Sequence, residues 1–497
     1  MMLLEMAASG FGDRTAVKNQ DRSITYTELF AAAGAAAEQI TASGARNVGM
    51  VDINSLAMPI ALFGSAWAGV PFAPLNYRLT AAELDALLAR IEPAFIVTDA
   101  DRAGHIASLG TMTVAERNEF VDASVAAAGG QPSANWSMDP EEIAVLLFTS
   151  GTTGVPKAAV LRHKHIVSYI LGSVEFAGAA EDDAALISVP PYHIAGIAAI
   201  ASAVYAGRRI VQLEGFTAEG WIEVAQQERI TNAMVVPTML VRIVDELERR
   251  GDVSLPHLRA ISYGGSKMPQ ATLEKAMELL PDTAFTNAYG LTETSSTITI
   301  LTPEDHRTAA ASDDPAIRRR LGSLGTPLPG IQLEIRDESG AVVGPGERGE
   351  IYVRGEQISG EYLDQGSRLE NGWFPTRDGG YVDEAGYLFL DGRIDDIIVR
   401  GGENISPGEV EDVLLLHEAV ADCAVVGVPD AHWGEGVAAA VVTREGHSVT
   451  EAELQAWVTE RLRSSRSPSR VEFRDELPYN ETGKLLRRVV RAELAGD

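Results

Sequence analysis

Between Val48 and Thr98, short apolar runs alternate with segments of helical spacing, and this alternation restricts the fold more than any other feature. Val48 to Ile53 reads as a strand, Met58 to Ala68 as a helix, Val70 to Pro74 as a short strand and Phe95 to Thr98 as another. Thr80-Ala81-Ala82-Glu83 is a capping-box pattern that opens a further helix, with Leu84, Leu87, Leu88 and Ile91 on one face. Strands separated by helices at this pitch predict a parallel, doubly wound sheet. Upstream, Ile24 to Leu29 leads into an Ala-rich helix ending near Gly44, with Thr27 as its expected cap.

The alternation resumes after residue 140. Strands are expected at Ala185 to Val189, Met234 to Val236, Leu258 to Ser262 and Phe285 to Ala288. They run into Pro190 to Gly196, Pro237-Thr238, Tyr263-Gly264-Gly265-Ser266 and Tyr289 to Thr294. Polar and glycine-rich segments at the ends of parallel strands can converge on one crevice, where open α/β sheets bind ligands. From about Gly322 the pattern changes to short β-like runs, with a hairpin expected around Asp383-Glu384-Ala385-Gly386. Past Asp391 to Asp395, Ser406-Pro407-Gly408-Glu409 reads as a capped helix start, followed by strands and a helix capped at Thr450. The expected fold is α/β: a large N-terminal domain of doubly wound sheets over 1–393, with a small β-barrel-like subdomain at about 322–391, and an α+β C-terminal domain over 394–497.

A chain of 497 residues is too long for one core. Its formal charge of -29 repels a nucleic-acid backbone or an anionic membrane, so neither is expected as a partner. Cys423 is the only cysteine, which precludes an intrachain disulfide and suits a reducing compartment. No signal-peptide pattern opens the chain, and the most apolar region, Met58 to Pro74, is broken by Gly64 and Gly69. The expected location is the cytoplasm, without integral membrane association.

The segment Thr149-Ser150-Gly151-Thr152-Thr153-Gly154-Val155-Pro156-Lys157 joins the apolar runs Ile143 to Phe148 and Ala158 to Leu161. Two glycines let the backbone turn tightly and aim several N–H groups at one spot, while four hydroxyls and a lysine add donors and positive charge. Such a loop suits a polyphosphate. It is not a Walker A loop, because Pro156 stands where that pattern has Gly before Lys and no helix start follows.

Further segments follow this loop: Tyr289-Gly290-Leu291-Thr292-Glu293, Gly372 to Asp378, Gly392-Arg393, Gly401-Gly402-Glu403-Asn404-Ile405 and Thr482-Gly483-Lys484. With them in this order, the chain resembles the adenylate-forming superfamily of acyl-CoA synthetases, adenylation domains and luciferases along essentially its whole length, and most of all a fatty-acid or aryl acid:CoA ligase. The resemblance implies two half-reactions. A carboxylate attacks the α-phosphate of ATP, giving acyl-adenylate and pyrophosphate, and a thiol, usually that of coenzyme A, then displaces AMP. ATP, Mg²⁺ and coenzyme A are the implied cofactors, and a small-molecule carboxylic acid is the implied substrate. A homodimer is the assembly to be tested.

By the same resemblance, Thr149, Ser150, Gly151, Thr152, Thr153, Gly154 and Lys157 would hold the β- and γ-phosphates. Tyr289 would stack on adenine, with Gly264, Gly265 and Ser266 along its edge. Thr292 would contact the α-phosphate, Glu293 would bind Mg²⁺, Asp378 would accept the ribose hydroxyls and Arg393 would face the nucleotide. Lys484 would bridge the attacking carboxylate and the α-phosphate. Asp395 marks a hinge about which a mobile C-terminal domain swings, bringing Gly401 and Gly402 to the thiol's path, with Trp433 near the pantetheine. His193 would line the acyl pocket. Plainer roles stand beside these: a helix-terminal carboxylate for Glu293, a turn residue for Asp378, interdomain packing for Trp433 and a packed strand-end histidine for His193. Ser465 and Ser467 replace an aromatic and a basic residue common near the CoA nucleotide, and Arg463, Arg466 and Arg470 are candidate substitutes. Transfer to a carrier protein, and a non-catalytic nucleotide-binding role, remain the alternative readings.

Overall fold

A computed structural model describes residues 1–127, 136–149, 156–251, 253–444, 446–479 and 485–496. The Val48 to Thr98 alternation folds as expected: strands Asn47–Val51, Phe72–Pro74 and Ala94–Thr98 are joined by helices Ala57–Ala68 and Ala81–Leu88. All three strands run parallel, with Ala94–Thr98 and Phe72–Pro74 on either side of Asn47–Val51. Thr80 caps its helix through the predicted box with Glu83. The Ala-rich helix Tyr26–Ser43 is capped by Thr25 rather than Thr27, because Thr25 is the residue with a glutamate, Glu28, three positions on.

Two large sheets share one core. The first has eight strands, hydrogen-bonded in the order Gly366–Ser367, Glu361–Tyr362, Lys157–Arg162, Ile143–Thr149, Phe72–Pro74, Asn47–Val51, Ala94–Thr98 and Met112–Glu116. The second has nine, with Ala284–Leu291, Ala260–Gly264, Asn232–Val235, Ala184–Ile187 and Arg209–Gln212 forming consecutive parallel neighbours at its centre. Helices Tyr26–Ser43 and Ala57–Ala68 contribute to the core that both sheets share. Their small residues allow close approach: a Cβ on Gly64 would stand 2.8 Å from the Ala36 Cβ.

Strand Ala284–Leu291 runs three residues past its expected end at Ala288. Gly290 permits this, since a Cβ there would lie 1.7 Å from the Ser296 carbonyl on the antiparallel partner. The β-rich subdomain is a four-stranded antiparallel sheet in the order Gln332–Arg336, Gly349–Arg354, Phe374–Val382 and Leu388–Arg393. The hairpin at 361–367 leaves it and pairs with the eight-stranded sheet, Glu361 opposite Val160.

A fourth sheet uses only residues beyond 397, built on Val420–Asp430 and Gly434–Thr443. Helix Pro407–Leu415 starts where expected, with proline at its first position. Ser406 does not cap it, however; its hydroxyl donates instead to the Asp391 carbonyl at 2.5 Å and ties this helix to the preceding sheet. Cys423 is buried in the core of this unit. No helix among the described residues is long and apolar enough to cross a membrane.

Candidate active site

Strand register brings three of the expected nucleotide residues together. Asp378 and Arg393 are direct cross-strand partners, and Arg393 Nη1 donates to Asp378 Oδ1 at 2.9 Å. The Tyr289 hydroxyl, arriving from the nine-stranded sheet, donates to Asp378 Oδ2 at 2.7 Å. Burial, reinforced by the charge of Asp378, raises the Tyr289 phenol well above its ordinary value, so it stays a donor. Each Asp378 oxygen thus accepts one bond and retains capacity for another, as two ribose hydroxyls require. Arg377, in the left-handed region with φ 63°, turns outward and pairs with Asp395 at 2.6 Å. Its N–H donates to Glu350 Oε1 at 3.0 Å.

A second cluster gathers around Glu293, which is only 8% exposed. The Tyr362 hydroxyl donates to Glu293 Oε1 at 2.5 Å, and the Lys157 ammonium lies 5.6 Å from the centroid of the Tyr362 ring. The Glu293 carbonyl accepts from the Ser359 and Gly360 amides at 2.9 and 3.2 Å. Thr149 and Lys157 face each other across the hairpin, with the Thr149 hydroxyl donating to the Lys157 carbonyl at 3.4 Å. Thr292 opens the short 3-10 turn that carries Glu293. The two clusters feel each other: burial would lower the Arg393 pKa, but Asp378, followed by Tyr289 and Glu293, raises it. Ser150, Gly151, Thr152, Thr153, Gly154 and Lys484 lie outside the described residues.

Gly264 lies at the end of strand Ala260–Gly264, where a Cβ would come within 2.1 Å of the Ala288 carbonyl, so only glycine allows these two strands to close. Gly265 is exposed and Ser266 half-buried. His193 precedes helix Ile194–Ala206, packed against Tyr192 at 4.7 Å between ring centroids. Burial lowers its pKa to about 4, and its Nε2 has no protein partner. The Ser295 hydroxyl is likewise buried and without a protein partner.

Farther along, Gly401 and Gly402 are exposed with φ of 60° and 83°. The Trp433 ring covers Gly401, where a Cβ would meet it at 2.7 Å, yet Trp433 itself is 55% exposed. Of the candidate CoA-binding arginines, Arg466 is taken up by Glu403 and Glu409, and Arg470 by the Leu494 carbonyl and Glu472. Arg463 is the most exposed of the three, 3.7 Å from Glu403.

Residues 4–363 match the family model described as AMP-binding enzyme, and residues 409–484 match that of the AMP-binding enzyme C-terminal domain. The chain belongs to the AMP-binding enzyme family. Among its relatives, a fatty acid–[acyl-carrier-protein] ligase of Streptomyces coeruleorubidus is 32% identical over 97% of this chain and 94% of that protein. A feruloyl-CoA synthase of an Amycolatopsis species is 31% identical over 96% and 95%. The structure of o-succinylbenzoate CoA synthetase from Bacillus subtilis, in complex with its acyl-adenylate intermediate, superposes with a TM-score of 0.83 at 30% identity, covering 98% of this chain and 97% of that one. The fold of this AMP-binding enzyme is accordingly that of the adenylate-forming enzymes.

Among the described residues no group of three or more His, Cys, Asp or Glu side chains could hold a metal. Glu293 would offer Mg²⁺ one carboxylate, and this cation commonly combines one or two carboxylates with substrate phosphates. Tyr362 and Arg90, both close to Lys157, are absent from the sequence-based site. They come from segments about 200 and 70 residues away in the chain of this AMP-binding enzyme, and no local pattern marks them.

Proposed function

We propose that this AMP-binding enzyme is an ATP-dependent acid:CoA ligase that activates a fatty or aromatic carboxylic acid as its acyl-adenylate and then passes the acyl group to the thiol of coenzyme A. The observation that carries this reading is the adjacency of the Tyr289–Asp378–Arg393 cluster to the Glu293–Tyr362–Lys157 cluster, close enough for the charges of Arg393 and Glu293 to act on each other's groups. One is equipped for a ribose and the other for phosphates, so the bond between α- and β-phosphate falls between them. The chain carries a charge of -29, and bringing two further anions together requires local cations such as these.

In this reading Asp378 and Tyr289 hold the nucleoside, Gly264, Gly265 and Ser266 line the adenine edge, and Thr149 to Lys157 grips the pyrophosphate end. Thr292 contacts the α-phosphate, and Arg393 faces the nucleotide. Bound beside Glu293, Mg²⁺ supplies neutralising charge to the phosphates. Lys484 screens the approaching carboxylate from the α-phosphate; a mobile ammonium on a long stem can neutralise both anions and then leave. Residues 1–393 form the adenylating domain, and residues 394–497 turn about Asp395 so that Gly401, Gly402 and Trp433 line the thiol's route. His193, neutral at physiological pH, faces the acid. The reaction takes place in the cytoplasm, and size-exclusion chromatography tests for a homodimer.

The test is acid-dependent ATP–pyrophosphate exchange across fatty and aromatic acids, followed by thioester formation with CoA. A panel giving no exchange refutes the ligase reading and leaves nucleotide binding alone. Lys484→Ala lowers adenylation by roughly 10²–10³-fold, the scale for one charge-stabilising donor, and spares thioester formation from supplied acyl-adenylate. Equal loss in both half-reactions contradicts the domain swing.

A second reading, transfer to a carrier-protein thiol, draws on one observation. Arg466 and Arg470 are committed to protein partners, and the Ser465 carbonyl accepts from Arg400, which leaves few groups for the CoA nucleotide. Exchange without CoA thioester favours that route.

A further inference from the structure

Arg90 touches both flanks of the Thr149 to Lys157 segment. It stands just past helix Ala81–Leu88, and its guanidinium lies 4.9 Å from the centroid of the Phe148 ring, immediately before Thr149. On the other flank, Arg90 Nη1 donates to the Pro156 carbonyl at 2.6 Å, immediately before Lys157. Nη2 pairs with Asp364, in the turn of the hairpin that carries Tyr362. Arg90, Pro156, Lys157, Ala158, Tyr362 and Asp364 line a cavity of about 180 Å³.

As an ion pair with Asp364, which is 63% exposed, Arg90 would contribute little. The combination of contacts is what distinguishes it. A planar guanidinium can lay its face on an aromatic ring while its edge donates to two acceptors, and an ammonium cannot do both. The β-ladder already pairs Phe148 with Ala158 and Thr149 with Lys157; Arg90 braces these paired ends from outside and ties them, through Asp364, to the hairpin whose Tyr362 holds Glu293.

We propose that Arg90 is a positioning residue for the β- and γ-phosphates of ATP. This rests on reading Thr149 to Lys157 as the phosphate loop. Arg90 itself touches no substrate; it acts through the two ends of the loop. The consequence is selective. ATP, which has the outer phosphates, depends on Arg90, whereas AMP and the acyl-adenylate do not.

The experiment compares the wild type with Arg90→Ala and Arg90→Lys, using calorimetric affinities for ATP with Mg²⁺ and for AMP. Arg90→Ala is expected to weaken ATP roughly tenfold, the scale of one hydrogen bond involving a charged group, with AMP unchanged. The KM for ATP in pyrophosphate exchange should rise in parallel, and thioester formation from supplied acyl-adenylate should hold. Arg90→Lys keeps the charge but not the fork, so it should recover less than half of the lost ATP affinity; it also serves if the alanine variant folds poorly. Equal weakening of ATP and AMP, unchanged ATP affinity in Arg90→Ala, or full recovery in Arg90→Lys would each overturn the assignment. If the wild type binds ATP but shows no acid-dependent exchange, the ligase reading fails while the ATP-against-AMP comparison still judges Arg90.

Discussion

Arg393 and Asp378 face each other directly across two antiparallel strands at 2.9 Å, and their neighbours Arg377 and Asp395 form a second pair at 2.6 Å beside them. The inner pair belongs, with Tyr289, to the cluster proposed to hold the nucleoside. The outer pair reaches the position proposed as the hinge, so rotation about Asp395 disturbs one pair while the other stays on its sheet.

Asp378→Asn keeps the shape of the side chain and removes the charge that faces Arg393. Thermal denaturation should show a loss on the order of 2 kcal/mol, the value of a charged hydrogen bond at a buried site. ATP and AMP affinities should fall together, because both ligands carry the ribose. This is the opposite of the selectivity expected at Arg90.

Arg377→Gly removes an exposed ion pair worth about 0.2–1 kcal/mol and relieves a left-handed backbone that costs a side-chain-bearing residue about 1 kcal/mol. The two effects nearly cancel, so denaturant unfolding should place the variant within about 1 kcal/mol of wild type. Asp395→Pro stiffens the turn itself. It should preserve adenylation and impair thioester formation, a loss that Arg377→Gly does not reproduce.

Burial holds the imidazoles of His193 and His165 near 4, with the charges of Lys164 and Arg162 adding to the effect at His165. Both pKa values are depressed on folding, so the neutral rings contribute fully above pH 6.5, and that contribution is lost as pH falls towards 4. Each histidine should account for about 1–3 kcal/mol of acid destabilisation. His193→Gln and His165→Gln should flatten the fall of Tm below pH 6.5 and leave Tm at pH 8 little changed in its pH slope.

In the C-terminal unit, Glu411 is buried, accepting from the Val425 amide at 2.7 Å and from Arg487 Nη2 at 2.7 Å. Glu411→Ala leaves the guanidinium with only the Val425 carbonyl and the more distant Asp396 among its described partners, and should cost about 3 kcal/mol in urea unfolding, the low end for breaking a buried pair. Ser406→Ala, which loses only the bond to the Asp391 carbonyl, should cost about 1 kcal/mol.

The strands and helices from Val48 to Thr98 were legible because each element declares itself over a few residues, through period and cap. Thr25 is legible too, since Glu28 stands three residues beyond it, and that capping box, not the presence of Thr27 one residue from Glu28, decides the helix start. Ser406 carries a sound cap pattern, and its hydroxyl nonetheless goes to Asp391, a partner supplied by the preceding sheet. The same limit hid Arg90 and Tyr362. Their partners lie 66 and 69 residues away, and only sheet order brings them into contact. The pairing of Asp378 with Arg393 needed strand register, which residue types alone do not specify.

Cys423 is the chain's single cysteine, and its buried thiol, pushed well above its ordinary pKa by burial and by Glu411 and Asp422, donates weakly to the Glu411 carbonyl at 3.6 Å. Alkylating reagents attack thiolates, so this sulfur stays silent towards them in the folded protein. One cysteine introduced at the surface on each side of Asp395 would therefore take a donor and an acceptor dye without a competing background. The protein is in this respect already prepared for watching single molecules turn over in real time.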